Sequence, residues 1–109
     1  METFILALVQ HDSPVGITDK NLDTTILWAH KARKAGASLV CFPELNITGH
    51  AGHADLVRDA EEVPGGSSCK RLIKLAEELD MYICAGIAEH ERGIHYNTMF
   101  IVGPQGCLS

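Results

Sequence analysis

Ala35-Gly36-Ala37-Ser38-Leu39-Val40-Cys41-Phe42-Pro43-Glu44 joins the end of one regular element to the start of the next. Upstream of it, Leu22, Ile26, Ala29 and either Ala32 or Arg33 recur at helical spacing. Thr18 or Asp19 can cap such a helix, and Lys31, Arg33 and Lys34 suit the negative end of its dipole. The pattern predicts a helix running to about Ala35, stopped by Gly36 in the left-handed conformation that a residue without a Cβ adopts freely. Ser38 to Phe42 then reads as a short apolar strand that Pro43 ends. Glu44 is left just past the carboxyl end of that strand.

The same logic extends in both directions. Phe4 to Val9 is an apolar run too short for a helix and closed by polar Gln10-His11-Asp12, which predicts a buried strand. Ser13-Pro14-Val15-Gly16 is loop. From Glu44 to about Val63 there is little periodicity, and a long irregular stretch inside a compact domain is more often functional than idle. Gly65-Gly66-Ser67-Ser68 opens a second helix with Leu72, Leu75, Ala76 and Leu79 along one face. Met81 to Ala88 is a third buried strand, and Ile94 to Val102 is a fourth strand. The turn Glu91-Arg92-Gly93 joins these two as a hairpin, and Pro104-Gln105-Gly106 turns the chain into a new extended segment at Cys107.

The resulting order is strand, helix, strand, helix, strand, strand, an α/β fold with a mixed sheet. Strands that are apolar throughout are usually covered on both faces. Two helices can cover only one, so residues 1–109 are expected to be the front part of a larger domain.

Composition narrows the function. At 109 residues, with 46% hydrophobic and 21% charged residues, the chain is one globular domain at most. Its net charge of −5 argues against nucleic acid, whose binders carry a basic surface. The longest apolar stretch, Met81 to Ala88, falls far short of the ~20 residues that span a bilayer, so no membrane partner is expected. The acidic start lacks the basic region of a secretory signal. The four cysteines, Cys41, Cys69, Cys84 and Cys107, form no C-x-x-C pair. A reducing, cytoplasmic setting follows.

Ligands of open parallel sheets gather at the carboxyl ends of strands, where Glu44 stands. Partial desolvation there would raise its pKa and suit it to general-base work. The plainer alternative is a loop carboxylate that caps or pairs with a neighbour. His50 and His53 form an H-x-x-H pair that could ligate a metal together with His11, His90 or His95. Zinc sites on loops usually have tighter spacing and cysteine or carboxylate ligands, so no metal is expected.

The string from Gly36 to Gly49, with Phe42-Pro43-Glu44-Leu45 and Thr48-Gly49, resembles the glutamate motif of the nitrilase superfamily of carbon–nitrogen hydrolases. Gln10, Asn21, Pro64-Gly65, Gly86-Ile87-Ala88-Glu89, Tyr96-Asn97-Thr98 and Gly103-Pro104-Gln105-Gly106 agree with it in order. The resemblance covers nearly the whole chain but under half of the family's domain. It implies the front half of a four-layer α-β-β-α sandwich. It also implies hydrolysis of a small amide, carbamoyl compound or nitrile by a Glu–Lys–Cys set, with Glu44 as the base and no cofactor.

The lysine and the nucleophilic cysteine would lie beyond Ser109, so this chain alone is expected to be inactive. None of Lys20, Lys31, Lys34, Lys70 and Lys74 matches the first, and the four cysteines are expected to be structural thiols. Glu89 matches a family position expected to be structural. His50 falls where the family often has an aromatic residue, and is expected to line the substrate pocket. A homodimer or higher homo-oligomer is a further implication. The alternative from another class is a non-catalytic α/β binding or assembly module that retains the front half of the fold.

Overall fold

The computed structural model describes residues 3–50 and 53–107, apart from the side chains of His53 and Asp55. Its elements are β1 (Leu6–Leu8), α1 (Thr18–Lys34), β2 (Leu39–Cys41), α2 (His53–Asp59), α3 (Ser67–Leu79), β3 (Tyr82–Glu91), β4 (Ile94–Gly103) and β5 (Gly106–Cys107). They build a mixed five-stranded sheet in the order β1-β2-β3-β4-β5. β1, β2 and β3 run parallel, and β3, β4 and β5 run antiparallel.

One sequence signal positions the parallel half. Gly36 has φ 95°, and the Gly36 and Ala37 amides donate to the Arg33 and Ala32 carbonyls, which closes α1 and turns the chain into β2. The start of α1 is less expected. Its N-cap is Ile17, and neither Thr18 nor Asp19 caps it with a side chain. The loop fixes where that helix begins, in place of a local cap.

Register divides the sheet into two unlike faces. Ala7, Val40, Ile83 and Val102 lie side by side on one face, and Ala85 with Phe100 and Ile87 continue it. Ala29 and Ala32 of α1 pack against this face together with Cys69, Leu72, Leu75 and Ala76 of α3, and all are buried. The other face presents Leu6, Leu8, Leu39, Cys41, Tyr82, Cys84, Ile101 and Met99. No described helix covers it. Leu8 is 73% exposed and Met99 45%.

Several expected boundaries move. The first strand is Leu6–Leu8 rather than Phe4 to Val9, and Phe4, Ile5, Leu6 and Leu8 are exposed rather than buried. β1 is the edge of the sheet and packs on one face only, so an apolar run is no guarantee of burial there. The fourth strand is likewise exposed from Ile94 to Asn97 and buried only at Phe100, Val102 and Gly103. β3 runs on to Glu91, beyond the expected end at Ala88. The stretch expected to be irregular contains the short helix α2.

The open apolar face generates a measurable liability. Residues 1–109 expressed alone are expected to self-associate and to bind a hydrophobic dye. Leu8→Glu combined with Met99→Glu should reduce both. Sedimentation and dye fluorescence check this, and a monodisperse, dye-silent monomer would contradict it.

Candidate active site

The chain leaves β2 at Cys41 and continues along β3 without being a strand. The Phe42 amide donates to the Cys84 carbonyl at 2.9 Å, and the Ile47 amide to the Gly86 carbonyl at 3.0 Å. Between these two anchors the backbone must fold a tight turn, because Pro43 to Asn46 is too long for the gap it spans. The Asn46 amide closes the turn on the Pro43 carbonyl at 3.2 Å, and Leu45 takes a left-handed φ of 53°. For a non-glycine residue that conformation costs ~1–2 kcal/mol, so something else must hold it.

Buried side chains supply the hold. The Asn46 side chain is wholly buried. Its Oδ1 accepts the Gly86 amide at 2.8 Å, and its Nδ2 donates to Thr25 Oγ1 at 2.9 Å. Thr25 Oγ1 in turn donates to the Asn21 carbonyl at 2.9 Å. The Asn21 amide group donates to the Pro14 and Ile47 carbonyls at 2.7 and 3.1 Å. Thr48 Oγ1 accepts the Ala88 amide at 2.9 Å. Among the described residues, no buried side-chain nitrogen or oxygen is left without a partner. Gly86 is part of the fit, since a Cβ there would collide with the Leu45 nitrogen, the Pro43 oxygen and the Met99 sulfur.

This turn carries Glu44 over the open face of the sheet. The carboxylate accepts a hydrogen bond at Oε1 from the Asn97 amide of β4. His50 Nε2 stands 3.6 Å from Oε2. The expected partial desolvation is corrected: the Glu44 side chain is 56% exposed. Position on the sheet, rather than burial, singles this carboxylate out.

The other candidates disperse. His11 is half-buried after β1, with its ring edge-on to Phe42 and Nε2 3.4 Å from Asn46 Nδ2. His90 and His95 face each other across the hairpin, with ring centroids 6.3 Å apart. The His53 side chain lies outside the described residues. Among the described residues, no group of three His, Cys, Asp or Glu side chains is arranged to hold a metal. Glu89 accepts a hydrogen bond from Thr98 at 2.7 Å, a cross-strand structural contact. A groove of about 330 Å³ lined by Glu62, Pro64, Glu89 and Arg92 lies at the hairpin rim, and Glu44 does not border it.

The cysteines are free thiols. Burial pushes the Cys69 thiol up to about 12, with Cys107 and Glu61 adding to the effect. Burial, then neighbouring Cys41, also raises Cys84. Both therefore remain protonated near neutral pH, poor states for a nucleophile.

The chain belongs to the carbon-nitrogen hydrolase family, whose model matches residues 5–109. It is 33% identical to a nitrilase of Pyrococcus abyssi over 105 residues, covering 94% of this chain and 40% of that protein. It is 36% identical to the omega-amidase NIT2 of Bos taurus over 109 residues, covering 99% of this chain and 38% of that one. The chain thus spans about two fifths of the length of these curated relatives. A crystal structure of an N-terminal amidase with a Gln-Gly peptide matches with a TM-score of 0.81 at 22% identity, over 95% of this chain and 26% of that one. The mixed sheet with its helices is the front half of that fold. No described helix is long and apolar enough to cross a membrane.

The strand reading put Glu44 past the carboxyl end of β2, where it stands, but gave no sign of Asn97 as its neighbour. The pair is 53 residues apart in the chain. Only the Tyr96-Asn97-Thr98 string pointed there, and it carried no role.

The network around Asn46 is testable by truncation. Asn46→Ala orphans the Gly86 amide, at ~1–3 kcal/mol, and removes a bond worth ~1 kcal/mol to the Thr25 hydroxyl, which keeps its own bond to the Asn21 carbonyl. Denaturant unfolding should show a loss of about 2–4 kcal/mol on this basis. A loss below about 0.5 kcal/mol, the range of an unremarkable surface substitution, would contradict it.

Proposed function

We propose that the protein hydrolyses a non-peptide carbon–nitrogen bond in a small amide, carbamoyl compound or nitrile, with Glu44 as general base. The observation that carries this is the Glu44 carboxylate itself, fixed on a pinned turn at a strand end in a chain of this family. The names of the relatives, a nitrilase and an omega-amidase, support the reaction class.

The chemistry requires two further groups. A cysteine thiol attacks the amide or nitrile carbon, forming a C–S bond, while a lysine stabilises the negative charge that builds on the substrate heteroatom. Glu44 takes the thiol proton and passes it to the substrate nitrogen. In an amide or carbamoyl compound the C–N bond then breaks and amine or ammonia departs, leaving a thioester. A nitrile instead becomes a thioimidate, whose carbon takes up one water before ammonia departs to leave the same thioester. In the second half-reaction Glu44 takes a proton from water, whose oxygen attacks the thioester carbon; the C–S bond breaks, the proton returns to the sulfur and the acid is released. Both groups are to be supplied by residues outside 1–109, since residues 1–109 are proposed as the N-terminal portion of one hydrolase domain. Thiol chemistry of this kind needs no metal or organic cofactor. A cytoplasmic enzyme that forms a homodimer or higher homo-oligomer is the setting we infer.

Steady-state kinetics of Glu44→Gln in the full-length protein tests the assignment. The side chain keeps its shape and loses its basicity, so kcat/KM should fall ~10²–10⁴-fold with the fold intact. Near-normal turnover would refute the role of Glu44. A full-length protein without activity on any amide, carbamoyl compound or nitrile would favour a binding or assembly module.

A further inference from the structure

The two oxygens of the Glu44 carboxylate have unlike surroundings. Asn97 lies opposite Ala88 in the β3–β4 ladder, so its side chain rises from the open face beside that of Met99. From there Nδ2 donates to Oε1 of Glu44. Oε2 faces His50 instead, at 3.6 Å, beyond hydrogen-bond range.

An amide donor neither gives nor takes a proton near neutral pH, so Asn97 can orient the carboxylate without competing for its proton. β4 holds Asn97 by paired neighbours on both sides, from Tyr96 with Glu89 to Thr98 with Ile87. Glu44, by contrast, sits on a turn with an exposed side chain that can rotate unless something fixes it.

We propose that Asn97 is a positioning residue: it holds Oε1 so that Oε2 is the oxygen that collects the proton. The inference rests on the reading of Glu44 as general base. Misplacing a catalytic group by about 1 Å can cost 10²-fold in rate, which sets the scale of the effect.

The test is a double-mutant cycle on the full-length protein with an amide substrate. Asn97→Ala should lower kcat by about 10–100-fold with KM within about twofold, since ground-state binding is untouched. Asn97→Asp keeps the shape, loses the donor and should lose at least as much. Because Asn97 is exposed, thermal unfolding of both variants should match the parent. In a Glu44→Gln background, adding Asn97→Ala should cost no more than about twofold further. Full kcat in Asn97→Asp would overturn the proposal, as would a rise in KM alone or an undiminished loss in the Glu44→Gln background. If Glu44→Gln itself turns over normally, the base assignment falls and this role falls with it. A strict dependence on Glu44 with indifference to Asn97 overturns only the present inference.

Discussion

One buried amide side chain ties this structure together. Asn46 bonds α1 through Thr25 and β3 through the Gly86 amide, from inside a turn that belongs to neither. A typical hydrogen bond contributes only ~1 kcal/mol net, but a buried partner left without one costs more. The three segments are therefore coupled: none can shift without orphaning a polar group in another. That coupling offsets the left-handed Leu45 and brings Pro43 and Leu45 against the bare backbone of Gly86. Glu44, between those two residues, has its place fixed by groups that it does not itself touch.

The sheet separates stability from chemistry. The face covered by α1 and α3 is closed and apolar, built from Val40, Ile83, Phe100 and the helix residues over them. The opposite face carries Glu44, Asn97 and His50 at one end and an apolar field from Leu8 to Ile101 at the other. On the proposed reading of Glu44 as base, its place beside uncovered apolar strands leaves it open to water, which general-base chemistry gains from excluding. The nitrilase and omega-amidase relatives are more than twice as long as this chain.

What was legible in the sequence was what local physics writes there. Gly36 announced a helix end, Pro43 a strand end, and the hairpin between β3 and β4 a turn at Arg92-Gly93. The face of α1 was legible only in part: Ala29 and Ala32 are in the core and Leu22 and Ile26 pack against it. Leu22 and Ile26 suggested its inner stripe, yet Asn21 and Thr25 are the more deeply buried, alongside Ala29 and Ala32. Polar residues score as surface by pattern, and bonds to Ile47 and Asn46, over 20 residues away, join local ones to Pro14 and Asn21 in making their burial tolerable. The short α2 was missed because seven residues hold too few turns for a periodicity. Glu44 stood out in the sequence by its place past a strand end and by the motif around it, while its exposure and its contact with Asn97 depend on packing across the sheet, which no local signal encodes.

If the turn is pinned as described, its side-chain-bonded amides should open only with the whole domain. Native-state hydrogen exchange of the Gly86 and Ala88 amides, read against the rest of β3, tests this directly. The account expects both to exchange with the free energy of global unfolding, like their buried neighbours Ala85 and Ile87. Exchange of Gly86 and Ala88 through a local opening at a much lower free energy would contradict it, because Glu44 would then ride on a loop that the buried side chains do not hold.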